Sequence, residues 1–509
     1  MNITDYFDKN VEQFPGKTAL IYQGKALSFK EVQTLSLRLA GLLWEMGLRK
    51  GSKIAVLLNN SIEFALSMLA IARIEAVIVP MNPTLPLEQA RRAFVATDIE
   101  FSIMKSNVLQ GLLPEDKILS FGGITPRSFE EIYNDKKHFS AIPYKVDPDS
   151  NYLIVMTSGS TSEPKPIVLN QRTKIKRAID GAKDLYGLNA SDIILIGSPM
   201  YHSLAFRLTL LPLLMGGTGV ILTKFNPKVW LETVQNYRVT FTIAVSSQLE
   251  MILNQIKKNT YDLTSLQKIV SSSALLKPKI KEQLISELNC EFHECYGTSE
   301  IGIATNLSPK DSGRKLDSVG KALPYVDIKI TDTAGNTLPI GQEGEIACRT
   351  RTCFSEYYKR QEETVKSVRG EYFFTGDIGR LDDEGFLYYV GRQKDIIITG
   401  AINVYPKDIE TALSSFAGVA EVAVIGVEDQ HFGEAILAVV VANKAIDERA
   451  IRHYCAKNLA DYQQPMAFEF VKELPKNEMG KIVKRKLKKQ FQGYDASAFL
   501  RKIISHSGK

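Results

Sequence analysis

Short runs of apolar residues recur along the chain, and longer stretches with mixed faces separate them. Lys53–Leu58 (KIAVLL), Ala76–Val79 (AVIV) and Ile193–Ile196 (IILI) have the length and texture of buried strands. Between them, Ser61–Ile74 reads as an amphipathic helix. The alternation predicts layered strands and helices of an α/β fold, with a parallel sheet.

The texture changes between Asp327 and Ile346, where short β-rich runs alternate with the turn signals Ala334-Gly335-Asn336 and Ile340-Gly341-Gln342. Hairpins or a small barrel are expected there. Asp382-Asp383-Glu384-Gly385 leads into a further strand, Phe386–Val390. After Asp395 the pattern predicts a compact unit: a helix near Lys407–Ser415, strands near Ala420–Val427 and Ala435–Val441, and a helix beginning near Ala445. A domain boundary is therefore expected at Lys394, dividing the chain into residues 1–393 and 394–509.

Size agrees with more than one domain, since 509 residues exceed what one core ordinarily serves. With 44% hydrophobic and 24% charged residues the chain reads as globular. The net charge of +6, from 63 basic and 57 acidic residues, suits a phosphate-bearing ligand and does not call for nucleic acid. Cys290, Cys295, Cys348, Cys353 and Cys455 are odd in number and form no CxxC pair, which argues against disulfides or a zinc site and for a reducing compartment. Met1–Asn10 lacks a long apolar run, so no secretory signal is expected. The greasiest stretch, Leu208–Leu222, is broken by Pro212 and Gly216-Gly217 and is too short to span a bilayer. A cytoplasmic protein without a transmembrane segment is expected, and the basic run Lys481–Lys489 reads by default as a solvated helix face.

Chemistry enters with Thr157-Ser158-Gly159-Ser160-Thr161-Ser162-Glu163-Pro164-Lys165, which follows the apolar run Tyr152–Met156. A loop rich in hydroxyls and glycine can wrap N–H and O–H donors around phosphate oxygens, with the lysine adding charge. A mobile polar loop is the competing reading at this point, because the GK[ST] signature of a P-loop is missing. Four further motifs follow in order: Tyr296-Gly297-Thr298-Ser299-Glu300, Thr375-Gly376-Asp377, Gly391-Arg392-Gln393-Lys394-Asp395 and Pro475-Lys476-Asn477-Glu478-Met479-Gly480-Lys481. In this order and spacing the five motifs resemble those of the adenylate-forming superfamily, which contains acyl- and aryl-CoA synthetases, peptide-synthetase adenylation domains and firefly-type luciferases. The resemblance spans Asn2 to about Leu487.

It implies a large N-terminal domain of two α/β subdomains plus a β-barrel, with a small mobile α+β C-terminal domain. It also implies two steps: a carboxylic acid attacks the α-phosphorus of ATP with Mg²⁺ present, and a thiol then takes the acyl group from acyl-AMP. Nucleotide contacts are carried over to Thr157, Ser158, Gly159, Ser160, Thr161, Lys165, Glu294, Cys295, Tyr296, Gly297, Thr298, Ser299, Asp377 and Arg392. Asp377 would accept from the ribose hydroxyls, and Arg392 would bring a fixed cation to ribose or phosphate. Tyr296 would lie against adenine, while Glu294 would accept from its amino group. Glu300, with the Thr161 hydroxyl, would serve Mg²⁺, a hard cation that prefers oxygen.

Lys481 is the main expected catalyst, since an ammonium between carboxylate and α-phosphate offsets their repulsion. Its position beside Gly480 distinguishes it from its lysine neighbours. Lys394 matches a hinge. His202, in Pro199-Met200-Tyr201-His202-Ser203, matches an aromatic gate and joins Ser203, Val245, Ser246, Ser271, Ser272 and Ser273 as the expected acyl pocket. Gly400 and Ala401 match the thiol tunnel.

The chain departs from the family pattern at Ser162 and Pro166 of the phosphate loop, at Ser271-Ser272-Ser273-Ala274, where relatives have Ser-Gly-Gly-Ala, and at Ala401, where they have glycine. The favoured function is an acyl- or aryl-CoA ligase acting on a small carboxylic acid. A free-standing ligase that loads the phosphopantetheine of an acyl carrier protein is the alternative, and a non-catalytic nucleotide-binding protein a distant third.

Overall fold

The computed structural model describes residues 1–105, 111–121, 125, 127–134, 142, 145–156, 165–272, 276–399, 402–430, 432–477 and 480–496. They fall into two compact units: Met1 to Asp327 with Arg349–Phe373 added, and Ile328–Cys348 with the chain from Phe374 onward.

The first unit is built on two sheets. Seven strands form one, in the order Glu356–Tyr357, Pro166–Asn170, Asn151–Met156, Val77–Pro80, Lys53–Leu57, Phe101–Met104, Ile118–Ser120. The five from Asn151–Met156 to Ile118–Ser120 run parallel. Helix Ile62–Arg73 makes the crossover between Lys53–Leu57 and Val77–Pro80, and the Ser61 hydroxyl caps it by accepting from the Phe64 N–H at 3.2 Å. Its spacing reads as amphipathic, but every side chain except that of Glu63 is buried. The physical reason is cover on both sides: helix Phe29–Glu45 packs on the face that would otherwise meet water.

The second sheet has nine strands, of which six run parallel side by side: Thr18–Tyr22, Thr218–Ile221, Ile193–Ile196, Phe241–Val245, Lys268–Ser272 and Glu291–Thr298. Trp230, Leu231, Leu249, Leu284 and Phe292 belong to the core cluster between this sheet and its helices. The greasy Leu208–Leu222 divides at Gly216, which ends helix Ser203–Met215 in the left-handed conformation, and continues as strand Thr218–Ile221. Among the described residues no helix is long and apolar enough to cross a membrane.

Where hairpins or a barrel were expected, Val326–Thr331, Gly344–Thr350, Tyr372–Leu381, Val368–Arg369 and Leu387–Arg392 form a five-stranded sheet. A second five-stranded sheet follows in the second unit, with Gly433–Ala442 at its centre. Alternate residues of Val419–Asp429 and Gly433–Ala442 enter two separate cores: Val422, Val424, Ile436 and Val440 join Ile409, Leu413 and Ile451, while Ala423, Ile425, Leu437 and Val439 join Leu474, Leu487 and Phe491. The basic run therefore docks as helix Lys484–Gln490 through buried Leu487, with Lys486 and Lys489 exposed and Lys484 paired with Glu410 at 2.7 Å.

Gly320 precedes the edge strand Lys321–Ala322 at φ +87°, and a Cβ there would lie 2.0 Å from Asn306 C and Leu307 N. Gly320→Ala should destabilise the chain by about 3 kcal/mol or more, read as a lowered midpoint in urea unfolding.

Candidate active site

Ligands of open α/β sheets bind beyond the carboxyl ends of the strands. In the nine-stranded sheet those ends carry the expected site residues. Ser271 pairs in register with both Ala244 and Glu294, and Ser272 with Val245, so Val245, Ser246, Ser271 and Glu294 converge on adjacent strands. Ser271 and Val245 are buried. Ser198–Ser203 follows the neighbouring strand Ile193–Ile196. Asn60, which the motifs did not single out, pins that turn: its amide donates to the Ser198 and Leu222 carbonyls at 2.9 and 2.8 Å and accepts from the Met200 N–H at 2.7 Å. Gln248 also reaches across, its Oε1 accepting from Ser198 Oγ at 3.2 Å and from the Val245 N–H at 3.4 Å. His202 stands at the N-terminal end of helix Ser203–Met215 with its ring 4.7 Å from that of Tyr201.

Strand Glu291–Thr298 turns back into Gly302–Leu307 through the segment holding Ser299 and Glu300. Gly297 is required at the irregularity in register, because a Cβ would fall 1.9 Å from the Gly302 carbonyl oxygen. The turn is held from below by Arg177 of helix Gln171–Tyr186. Its Nη1 donates to the Ser299 carbonyl at 2.8 Å, its Nη2 to those of Glu300 and Thr352, and its Nε to Thr352 at 2.9 Å. Burial lowers this guanidinium to about 10, which leaves it charged at neutral pH. No motif contains Arg177, and its only signal in the sequence is a cation at an inward helical position.

The Glu300 carboxylate accepts from the Tyr357 hydroxyl at 2.9 Å. Burial and the carboxylate together raise the Tyr357 phenol, which keeps its proton available for that bond. Lys165 pairs with Glu363 at 2.8 Å and lies 4.8 Å from the centre of the Tyr357 ring. Tyr357 thus joins the end of the phosphate loop to the expected Mg²⁺ ligand. One carboxylate fits that cation, which usually takes one or two protein carboxylates beside phosphate oxygens and water. Pro166 begins a strand opposite Met156, and its carbonyl accepts from the Tyr358 N–H at 2.8 Å.

Glu294 is already engaged. It is 2% exposed, accepts from the Leu276 N–H at 3.1 Å, and forms an ion pair with Lys281, which is fully buried. Lys281 also donates to the carbonyls of Leu316 and Ser318. Burial raises the Glu294 carboxyl, with Lys281 and the Leu276 amide opposing the shift. Tyr296 and Cys295 are buried nearby, Cys295 in contact with the Tyr186 hydroxyl at 3.1 Å; Thr298 is half-buried. Thr157, Ser158, Gly159, Ser160, Thr161, Ser273, Gly400 and Ala401 lie outside the described residues.

In the second unit Asp377 and Arg392 face each other in register on the hairpin Tyr372–Leu381/Leu387–Arg392, with Arg392 Nε 2.7 Å from Asp377 Oδ1. Asp377 is 1% exposed. Thr375 Oγ1 accepts from the Asp377 N–H at 3.1 Å and donates to the Ile346 carbonyl, while Glu345 Oε1 accepts from the Gly376 N–H. These bonds fix the backbone on which the carboxylate is mounted.

Lys481 is presented by a tight turn. Asn477 Oδ1 accepts from the Lys481 N–H at 2.9 Å, the Asn477 N–H returns to the Lys481 carbonyl at 2.9 Å, and Gly480 takes φ +72°. Loss of hydration and the like charge of Arg392 lower the ammonium to about 8, against the pull of Asp377. The side chain as a whole is solvent-accessible, so water screens these effects. Lys394 lies in the single turn Gln393–Asp395.

Lys281→Met leaves a buried carboxylate without its cation and should cost about 3–5 kcal/mol. Adding Glu294→Gln, which still accepts from Leu276, should recover most of that loss. Urea unfolding of the two single variants and the double variant reads the coupling.

Residues 7–358 match the family described as AMP-binding enzyme, and residues 408–481 the AMP-binding enzyme C-terminal domain. An indoleacetate–CoA ligase of Aromatoleum aromaticum is 30% identical over 507 residues, covering 95% of this chain and 97% of the relative. ATP-bound MatB from Rhodopseudomonas palustris superposes with a TM-score of 0.88 at 26% identity, covering 97% of this chain and 99% of that one. The o-succinylbenzoate coenzyme A synthetase MenE of Bacillus subtilis, in complex with ATP and magnesium, does so with a TM-score of 0.86 at 26% identity over 95% and 99%. With its motifs in order, its strand ends converging and both domains matched, the chain belongs to the AMP-binding enzyme family.

Proposed function

We propose that this enzyme is an AMP-forming acid–thiol ligase that converts a carboxylic acid and ATP to acyl-AMP and pyrophosphate, then passes the acyl group to coenzyme A. The observation that carries the reading is that the Lys481 ammonium shares one electrostatic environment with the Asp377–Arg392 pair. A ribose-binding carboxylate, a fixed cation and a mobile cation then serve one nucleotide.

In the first step a carboxylate oxygen of the acid attacks the α-phosphorus, the bond to the bridging oxygen breaks, and pyrophosphate leaves. Asp377 receives the ribose hydroxyls, Arg392 holds the carboxylate in place, and Tyr296 offers its flat face to adenine. Lys481 offsets the repulsion between two anions as the bond forms. Glu300, with the hydroxyl of Thr161, would hold Mg²⁺, which supplies charge neutralisation to the phosphates when bound. Lys281 and the Leu276 N–H take two of the about four lone-pair sites of the Glu294 carboxylate, and the adenine amino group would use another. In the second step the thiol sulfur attacks the acyl carbon, AMP leaves, and the thiol proton passes to solvent.

We place the boundary between residues 1–393 and 394–509 at Lys394, whose short helical turn joins the hairpin ending at Arg392 to the sheet beginning at Ile397. A hinge there lets Lys481 withdraw between steps and brings Gly400-Ala401 to the thiol path. All five cysteines are free, which suits a cytoplasmic location. Asn403, Val404 and Pro406 keep the family pattern around that path, which favours a pantetheine thiol as acceptor.

Lys481→Ala should slow acyl-AMP formation by about two to four orders of magnitude while transfer from supplied acyl-AMP to coenzyme A stays within a few-fold. Equal loss in both steps contradicts the role. The ammonium is the active form and its folded-state pKa is lowered, so it is present below about pH 8 and lost above. The kcat/KM for pyrophosphate exchange should therefore fall above that pH, and Lys481→Arg should move this limb to higher pH.

A further inference from the structure

Strand Glu356–Tyr357 is two residues long, yet its surroundings fix it closely. Tyr357 pairs in register with Ile167, while the Ser355 N–H donates to the Val168 carbonyl at 2.9 Å and the Tyr358 N–H to that of Pro166 at 2.8 Å. The Tyr357 N–H points to the helix that follows, donating to Thr364 Oγ1 at 3.0 Å. Its side chain is 3% exposed, with the ring centre 4.7 Å from that of Phe354, which in turn meets the Phe373 ring edge-on at 5.5 Å. A tyrosine has two side-chain torsions, and packing on this scale sets both, so the hydroxyl is delivered to one point.

That point is the Glu300 carboxylate. The hydroxyl donates to Oε1 at 2.9 Å, and Oε2 has no hydrogen bond or ion pair among the described residues. The main chain of Glu300 is held separately, its carbonyl accepting from Arg177 Nη2 and from the Phe354 N–H at 2.6 Å. With the backbone and one oxygen fixed, the half-buried carboxylate keeps little freedom of direction. Lys165 lies over the face of the same ring, but its ammonium pairs with Glu363 at 2.8 Å and so is drawn to a different carboxylate. A phenol buried for packing alone needs only a carbonyl to accept its proton. This one spends its proton on the one carboxylate of the turn.

We propose that Tyr357 is a positioning residue for the divalent cation: by holding Oε1 it reserves Oε2 of Glu300 as a single, directed donor to the metal that accompanies ATP. Tyr357 touches neither metal nor substrate and acts through Glu300. Mg²⁺ suits such a donor, because it demands near-octahedral geometry and keeps several waters, so one carboxylate oxygen at a fixed bearing serves it. An unheld glutamate would have to be immobilised when the cation arrives, at a cost of about 0.5–1.5 kcal/mol for a side chain rich in rotamers. The inference rests on the assignment of Glu300 to Mg²⁺ above and adds a residue that lies outside all five motifs.

Tyr357→Phe keeps the ring with its packing and removes the donor alone. Mn²⁺, which takes the place of Mg²⁺ and is read by electron paramagnetic resonance, is titrated onto the full chain with α,β-methylene-ATP, an analogue that cannot release pyrophosphate. The variant should hold Mn²⁺ about tenfold more weakly than the wild type, the size expected when one hydrogen bond to a charged group is lost. Glu300→Gln should also weaken Mn²⁺, and Tyr357→Phe added to it should change the affinity by less than about twofold, since the hydroxyl acts through that carboxylate. In pyrophosphate exchange the Mg²⁺ concentration for half-maximal rate should rise about tenfold in Tyr357→Phe, and excess Mg²⁺ should recover the rate. Unchanged Mn²⁺ affinity in Tyr357→Phe beside a weakened Glu300→Gln overturns the proposal and leaves the Glu300 assignment standing. Equal affinity in the wild type and Glu300→Gln overturns both. A further tenfold loss on adding Tyr357→Phe to Glu300→Gln overturns the proposal as well, because the hydroxyl then acts through another group.

Discussion

One buried guanidinium organises the first unit. Arg177 gathers the carbonyls of Ser299, Glu300 and Thr352, which come from two distant parts of the chain, onto a single planar fork. The turn also takes the Phe354 N–H on the Glu300 carbonyl at 2.6 Å and the Thr352 hydroxyl on the Ile301 carbonyl at 2.7 Å, but Arg177 provides most of its hold. Four charge-assisted bonds, each worth about 1.5–3 kcal/mol net, supply that hold and offset the cost of burying the charge. Gly302 lets the fork approach, since a Cβ there would stand 3.2 Å from Arg177 Nε. The position of Glu300 follows from this contact, and Tyr357 then links Glu300 to the ring beneath Lys165.

Charge is distributed in two manners around the strand ends. Lys281 and Glu294 are buried together, with carbonyls and an amide completing their bonds, so the pair is closed within the protein. Lys174, 1% exposed, has instead the Phe206 ring 4.8 Å from its nitrogen. The first arrangement ties strand Glu291–Thr298 to Leu276 and to the segment around Leu316 and Ser318. The second disfavours the charged form of Lys174, because burial costs an ammonium its hydration.

The five motifs made the chemistry legible because adenylation demands particular residue types: a carboxylate for ribose diols, an ammonium for a crowded anionic transition state, glycine where backbone must approach backbone. Asp377, Arg392, Glu300 and Lys481 are legible on those grounds. Asn60, Gln248, Tyr357 and Arg177 are not. Each acts by holding a backbone group or another side chain, and any residue of suitable reach could do that from many places in the chain. The helix Ile62–Arg73 shows the same division at the level of the fold: its length and cap are local, whereas its burial all round depends on a neighbouring helix.

The sequence by itself determined the alternation of strands and helices, the separate patterning of the C-terminal unit and the reacting groups, since periodicity and residue chemistry are local properties. Tertiary structure decided which strand ends become neighbours, that Glu294 is already held by Lys281, and that Arg177, Glu300 and Tyr357 converge. Such convergence joins residues from distant parts of the chain, and the free energy of a charge depends on burial and on its neighbours in space, neither of which is written at its own position in the chain.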